Sequence, residues 1–215
     1  MGKEMEMPGK NLFMMCTHLN NDALTELPKE YYIRNCMENE LDIWKAMPFD
    51  EPEWQKNNYG FMTDYFNNVY GNKKSDFFNK CIFVCNSNDK PIGTCFLWKA
   101  YDKINTIHWY KIIKEYEGKG IGRALLSYIL KKANENDYPI YLHTHAGCNR
   151  AIKIYSYFGF ELLRDPEIGN RKNDLVECLP YLEKIMPEKY FKKLKIRDAE
   201  KYFLDAVNSA GRDEF

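Results

Sequence analysis

Between residues 110 and 125 the chain reads Tyr110-Lys111-Ile112-Ile113-Lys114-Glu115-Tyr116-Glu117-Gly118-Lys119-Gly120-Ile121-Gly122-Arg123-Ala124-Leu125. The run before it, Asn105–Ile113, is rich in Thr, Ile, Trp and Tyr and predicts a strand. The run after it places Leu125, Leu126, Ile129, Leu130 and Ala133 along one helix face. A strand that passes through three alternate glycines into a helix confines the chain to a mixed α/β architecture. It also leaves backbone N–H groups unobstructed by Cβ atoms, beside the positive end of a helix dipole, which makes an anion nest suited to a phosphate or diphosphate. Local charge agrees with that reading. Residues 111–132 carry Lys111, Lys114, Lys119, Arg123, Lys131 and Lys132 against Glu115 and Glu117, in a chain whose 31 basic and 31 acidic residues otherwise cancel.

Two common phosphate-binding patterns do not fit. A P-loop needs G-x-x-x-x-G-K-[S/T], and neither that spacing nor the Lys-Ser/Thr pair is present. A dinucleotide fingerprint needs G-x-G-x-x-G and an acidic residue ending the next strand. Here the third glycine comes one residue early, and Ile140–Thr144 ends on no acid.

At 215 residues the chain is long enough for one domain with appendages, and 45% hydrophobic residues with 15% aromatics supply a core. Zero net charge argues against a general nucleic-acid or membrane-surface binder, and no apolar run reaches transmembrane length. The N-terminal MGKEMEMPGKNLFMM lacks a signal peptide's apolar stretch. Gly2 is followed by Glu where a myristoylation signal wants Ser or Thr. Seven scattered cysteines, an odd number, read as free thiols serving as small core hydrophobes in a reducing cytoplasm.

Residues 1–30 are polar, Met-rich and irregular in pattern, and are expected to form an N-terminal extension. Tyr31–Cys36 predicts a strand and Glu38–Met47 a helix, with an aromatic-rich helical region over 59–78. Cys81–Cys85 and Pro91–Trp98 predict a hairpin. After the glycine turn come a strand at Ile140–Thr144, a helix at Asn149–Phe158, and two last strands at Phe160–Leu163 and Leu175–Leu179. From Tyr181 onward the charged tail predicts a helical C-terminal extension, leaving 31–180 as the main domain.

The glycine segment resembles the coenzyme A diphosphate loop of the GNAT superfamily of N-acetyltransferases, whose signature is Arg/Gln-x-x-Gly-x-Gly/Ala after a strand. Gly120-Ile121-Gly122 matches the glycine half, whereas Glu117 (or Glu115 in an earlier register) stands where the family has Arg or Gln. A carboxylate there is unfavourable beside a diphosphate unless it points away. A second element follows about 27 residues later: Asn149-Arg150-Ala151-Ile152-Lys153-Ile154-Tyr155-Ser156-Tyr157-Phe158-Gly159-Phe160 is similar to the family's N-x-x-A-x-x-x-Y-x-x-x-G-F. The resemblance covers roughly residues 31–180. It implies the GNAT (acyl-CoA N-acyltransferase) fold, a central mixed, mostly antiparallel sheet flanked by helices, and direct acetyl transfer from acetyl-CoA to a primary amine. In this reading Ile112 and Ile113 end the strand whose backbone pairs with pantetheine. Gly118, Lys119, Gly120, Ile121, Gly122, Arg123 and Ala124 hold the diphosphate. Asn149 contributes to cofactor binding or caps its helix. Tyr155 is either a core aromatic or the general acid that protonates the leaving thiolate. His108 is the first candidate for the base, beside a water chain or a purely structural role.

His143-x-His145-x-x-Cys148 puts two imidazoles on one strand face, but no fourth ligand follows, so no metal is expected. In the family's fold the early helices border the acceptor pocket, and residues 1–60 hold 11 acidic against 6 basic side chains, which attracts an amine. The expected partner is a small-molecule amine acceptor, with no nucleic acid and no membrane, the protein being a monomer or homodimer. Two rivals remain: a non-catalytic acyl-CoA-sensing protein of the same fold, and an acetyltransferase of protein N-termini or lysines.

Overall fold

The computed structural model describes residues 9–211, 213 and 214. The readings made on the first eight residues, the Gly2 argument among them, therefore lie outside the described residues. In chain order the elements begin with β1 (Asn11–Cys16), β2 (Tyr32–Asn35), α1 (Leu41–Ala46), α2 (Pro52–Val69), α3 (Lys74–Lys80) and β3 (Ile82–Cys85). They continue with β4 (Pro91–Ala100), β5 (Ile104–Ile112), α4 (Ile121–Lys132), β6 (Ile140–His145), α5 (Asn149–Tyr157) and β7 (Glu161–Leu163). Last come β8 (Glu167–Ile168), β9 (Arg171–Lys172), α6 (Leu175–Ile185), α7 (Glu188–Phe191), β10 (Ile196–Arg197) and α8 (Lys201–Asn208). These divide into two compact units. The first takes residues up to Ala23, Lys99–Thr106 and those from Glu135 on; the second takes Leu24–Trp98 and Ile107–Asn134.

In the first unit β1 runs antiparallel to both β6 (Asn11 opposite His145, Cys16 opposite Ile140) and β7 (Met14 opposite Leu162). The start of β5 lies parallel to β6, and β10 lies parallel to β7. Leu12 to Cys16 are all fully buried, so β1 is a core strand, which corrects the reading of residues 1–30 as irregular. A strand covered on both faces carries a continuous apolar run, Leu-Phe-Met-Met-Cys, and shows no period-two alternation to read. The C-terminal segment is equally integral to this unit. Phe203 of α8 is fully buried and stacks on Tyr141 with ring centroids 3.9 Å apart, in a cluster with Phe13, Met15, Ile104 and Leu163.

Leu175–Leu179, expected as a strand, is the first half of α6. Leu175, Cys178 and Leu182 are buried while Val176 is 82% exposed, the i, i+3, i+7 spacing of a helix. Val176 and the helix-breaking Pro180 mask that period in the sequence.

On β6, His143 stacks on Phe13 and has both ring nitrogens occupied. Arg171 donates to Nδ1 at 3.0 Å, so Nε2 carries the proton and donates to Asn11 Oδ1, also at 3.0 Å. Burial first, then the charge of Arg171 and neighbouring His145, pushes the His143 pKa down to about 2. The folded chain keeps this imidazole neutral, whereas the unfolded chain binds a proton below about pH 6.5. Stability is therefore complete above that pH and is lost as pH falls from it toward the folded value. At pH 5 the loss amounts to about 2 kcal/mol. Urea titrations from pH 7 to 5 read this slope, and His143→Gln flattens it.

In the second unit β2 pairs antiparallel with β3 (Tyr32 opposite Cys85) and β3 with β4 (Ile82 opposite Cys95). Strand β4 neighbours β5, with Ile113 N–H donating to Ile92 O while Gly93 faces Lys111 and Ile112, an antiparallel register. The core is aromatic. Trp44 from α1 meets Phe66, Tyr70 and Phe77 edge to face, and Tyr70 in turn meets Phe96 and Trp98. Beyond it, Arg34 on β2 forks onto both oxygens of Glu40 at 2.7 Å. Across both units the pairings are mixed and mostly antiparallel, as expected. Six of the seven cysteines are buried free thiols, and Cys148 is exposed.

Candidate active site

The glycine turn closes the second unit's last strand. Strand β5 ends at Ile112, a short turn covers Lys114–Tyr116, and α4 starts at Ile121 with Gly120 at its N-cap. Gly118 and Gly120 have φ of +78° and +80°, in the left-handed region. A Cβ on either would meet nothing within 4 Å. No side chain caps α4, and its first turn contains no acidic residue. The first helical bond, from Ala124 N–H to Gly120 O, comes three residues in. The amides of Ile121 and Gly122 thus precede the first helical bond at a helix start with no capping side chain, next to the open Cβ positions of Gly118 and Gly120. That is a cradle for an anion, and the fit to a diphosphate rests on it.

Gly122 does a different job. A Cβ there would fall 2.5 Å from the hydroxyl of Tyr110, whose side chain packs against the start of α4. The three glycines, which the sequence suggests act together, therefore divide into two that shape the cradle and one that admits Tyr110. Gly122→Ala should cost about 1–3 kcal/mol through overpacking. The double variant with Tyr110→Phe removes the clashing oxygen and should regain most of the lost melting temperature.

The flanking side chains are held by the same unit. Lys119 lies over the ring of Tyr116 at 4.7 Å, and Tyr116 accepts from Asn86 at 3.0 Å. Asp50 pairs with Lys111 at 2.7 Å and accepts the Lys114 N–H at 3.1 Å, pinning the strand end. Glu117, in extended backbone, is exposed. The backbone of Ile113 is occupied: its N–H goes to Ile92 and its carbonyl accepts from Tyr116. Pantetheine pairing expected at Ile113 thus meets a donor already taken up in the sheet.

His108 is buried in this unit, its Nδ1 2.5 Å from the Tyr70 hydroxyl, which also accepts from Trp109 Nε1 at 3.2 Å. Burial pushes the Tyr70 phenol well above its ordinary range, so it stays protonated. Trp109 itself has φ +51°. For a bulky residue within a strand this is strain of about 1–3 kcal/mol, and it breaks the in–out alternation of β5 beside His108. Nothing in the sequence announces the left-handed backbone of Trp109 or its contact with Tyr70.

Asn149 and Tyr155 belong to the first unit. Helix α5 begins at Asn149 with Cys148 at its N-cap, and no side chain caps it, which corrects the reading of Asn149 as the cap. Tyr155, 5% exposed, lies beside Phe160 with ring centroids 5.8 Å apart. Its carbonyl accepts from Phe160 N–H, and Gly159 turns the chain at φ +96°. Among the described residues no group of His, Cys, Asp or Glu could hold a metal ion, and no helix is long and apolar enough to cross a membrane.

The family model of the GNAT acetyltransferases matches residues 33–160, more than half of the chain. The protein belongs to that family. No curated protein sequence matches it. Among solved structures it is similar to a GNAT-family acetyltransferase from Colwellia psychrerythraea, at 16% identity over 73% of this chain and 53% of that one, TM-score 0.49. It is similar also to one from Staphylococcus aureus Mu50, at 19% identity over 59% of this chain and 80% of that one, TM-score 0.46. A GCN5-related N-acetyltransferase from Sphaerobacter thermophilus is 14% identical over 64% of this chain and 43% of that one, TM-score 0.44. The chain thus spans about half the length of the Colwellia and Sphaerobacter structures.

Proposed function

We propose that this protein is a cytoplasmic N-acetyltransferase that moves an acetyl group from acetyl-CoA directly to a primary amine on a small molecule. The observation that carries the reading is the uncapped start of α4 beneath two left-handed glycines with open space above them. Bound there, acetyl-CoA supplies the activated acyl carbon as a thioester. The amides of Ile121 and Gly122 would hold the diphosphate oxygens, with positive charge from Lys119 and Arg123 beside them. Glu117 is exposed on the loop, and its charge, after burial, helps push the Tyr110 phenol up.

Transfer requires the amine nitrogen to bond the acyl carbon while the C–S bond breaks and the thiolate takes up a proton. The family motif supports Tyr155 as the donor of that proton. The His108 ring is held through Nδ1 by Tyr70, and in the tautomer whose Nδ1–H donates to the Tyr70 hydroxyl, Nε2 is the nitrogen that takes the amine's proton, directly or through water. An acyl-CoA sensor would share the cradle but need no proton donor. Free-thiol release in the presence of acetyl-CoA and a panel of amines separates the two. The reading predicts amine-dependent release well above hydrolysis, and release that no amine accelerates would overturn it.

A further inference from the structure

Two residues in succession on β5 reach the same hydroxyl. His108 Nδ1 lies 2.5 Å from the Tyr70 oxygen, and Trp109 Nε1 donates to that oxygen at 3.2 Å. Neighbouring residues of a regular strand point to opposite faces, so one phenol should not meet both. The left-handed backbone of Trp109, φ +51°, is what brings its indole to the side of His108. Strain of that kind persists only where the surrounding structure over-determines it, and it clusters where it serves a mechanism. A third side chain completes the group. Tyr70, at the C-cap of α2, also hydrogen-bonds the side chain of Tyr65, earlier on the same helix. Tyr70 is fully buried, whereas Tyr65 is only half-buried.

The hydroxyl of Tyr70 has one proton to give and two positions that accept. Trp109 Nε1 only donates, and so takes one accepting position. One proton and one accepting position are then left for two partners. Either Tyr70 donates to Tyr65 and His108 Nδ1–H donates to Tyr70, or Tyr65 donates to Tyr70 and Tyr70 donates to His108 Nδ1. With a neutral imidazole, Nε2 is a base in the first arrangement and carries the proton in the second. The state of Nε2 is thereby tied to the direction of the hydroxyl at Tyr65.

We propose that Tyr70 and Tyr65 form a proton relay behind His108, coupled by the bond that Trp109 makes to Tyr70. The inference rests on the acetyl-transfer reading and adds the route by which the amine's proton leaves. As the amine nitrogen bonds the acyl carbon, its proton passes to His108 Nε2, the Nδ1 proton to Tyr70, the Tyr70 proton to Tyr65 and the Tyr65 proton to water. The first arrangement becomes the second, each side chain ends neutral, and one proton has left for solvent. Once the product leaves, water takes the Nε2 proton and the chain runs back from Tyr65. The advantage over a lone histidine is electrostatic. His108 is 5% exposed and lies against the rings of Tyr70 and Phe96, where a full imidazolium charge is costly to hold.

Tyr65→Phe keeps the ring that meets Trp109 at 5.1 Å and removes only the hydroxyl. Tyr70 then has His108 Nδ1 as the one acceptor left in the group, which fixes His108 as the Nε2–H tautomer. Nitrogen-15 NMR of the histidine-labelled full chain, with His108 assigned by the signals lost in His108→Gln, should show both tautomers in exchange in the wild type and Nε2–H alone in Tyr65→Phe. Single-turnover thiol release with the fastest amine of the panel should slow about 10²-fold in Tyr65→Phe, with the affinity for acetyl-CoA unmoved. Its dependence on the D2O fraction, bowed in the wild type because several protons move together, should become straight. Tyr70→Phe cuts the chain at its middle and should straighten that dependence equally. Packing alone moves neither the tautomer nor the D2O curve. An unchanged His108 tautomer in Tyr65→Phe, or a straight D2O dependence in the wild type, overturns the relay and leaves acetyl transfer standing. A tautomer that responds to Tyr65→Phe, with no amine-dependent release from the wild type, supports the coupling and overturns the transfer reading.

Discussion

If the proposed transfer holds, Tyr155→Phe should lower kcat by about 10²–10³-fold and leave the KM for acetyl-CoA within about threefold, in the range that removal of a positioned general acid produces. The size of the effect follows from the leaving group. An alkyl thiolate is basic at neutral pH, so an unprotonated departure raises the barrier at the step in which the C–S bond breaks, while nothing in substrate binding depends on the proton. Phe preserves the ring's packing beside Phe160, and the position is almost fully buried, so a folding defect is not the expected cause of the loss. Removal of a single buried hydroxyl costs about 0.5–1.5 kcal/mol of stability, a melting shift of a few degrees. Steady-state kinetics with one amine, paired with a melting curve, read both numbers. A kcat unchanged by the substitution would take Tyr155 out of the chemistry and return it to the core.

The parts of this fold that the sequence discloses are those with a clear local period or a backbone demand. The Gly118–Gly122 turn, the apolar stripe of α4 and the N-x-x-A-x-x-x-Y element on α5 all fall where the residues place them. Strand β1 escapes because a strand buried on both faces looks like any short apolar run. Helix α6 escapes because Val176 and Pro180 carry strand and breaker signals that burial of Leu175, Cys178 and Leu182 overrides. The site shows the same division. Gly118 and Gly120 are readable from chemistry alone, but the role of Gly122 depends on Tyr110, twelve residues away and adjacent only after folding. Likewise the contact of His108 with Tyr70 and the left-handed Trp109 arise from long-range packing of α2 on β5, to which no local pattern points.

The second large effect concerns the cradle. Asn tolerates the left-handed backbone better than other side chains, so Gly120→Asn should keep α4 intact and the melting temperature within a few degrees. Its side chain, however, enters the open space at Gly120, beside the helix start where the diphosphate is proposed to sit. Charge-assisted hydrogen bonds contribute about 1.5–3 kcal/mol each, so obstructing one or two of them weakens acetyl-CoA by about 10–100-fold. Side chains that line a pantetheine arm instead would leave that affinity unchanged.

Calorimetric titration with acetyl-CoA and with acetyl-pantetheine, the same thioester without its diphosphate, isolates what the turn contributes. The wild-type protein should bind acetyl-CoA at least 100-fold more tightly than acetyl-pantetheine, and Gly120→Asn should reduce that preference to tenfold or less. Equal affinity of the wild-type protein for the two ligands, or a preference that survives Gly120→Asn undiminished, would contradict the assignment of this turn to the diphosphate.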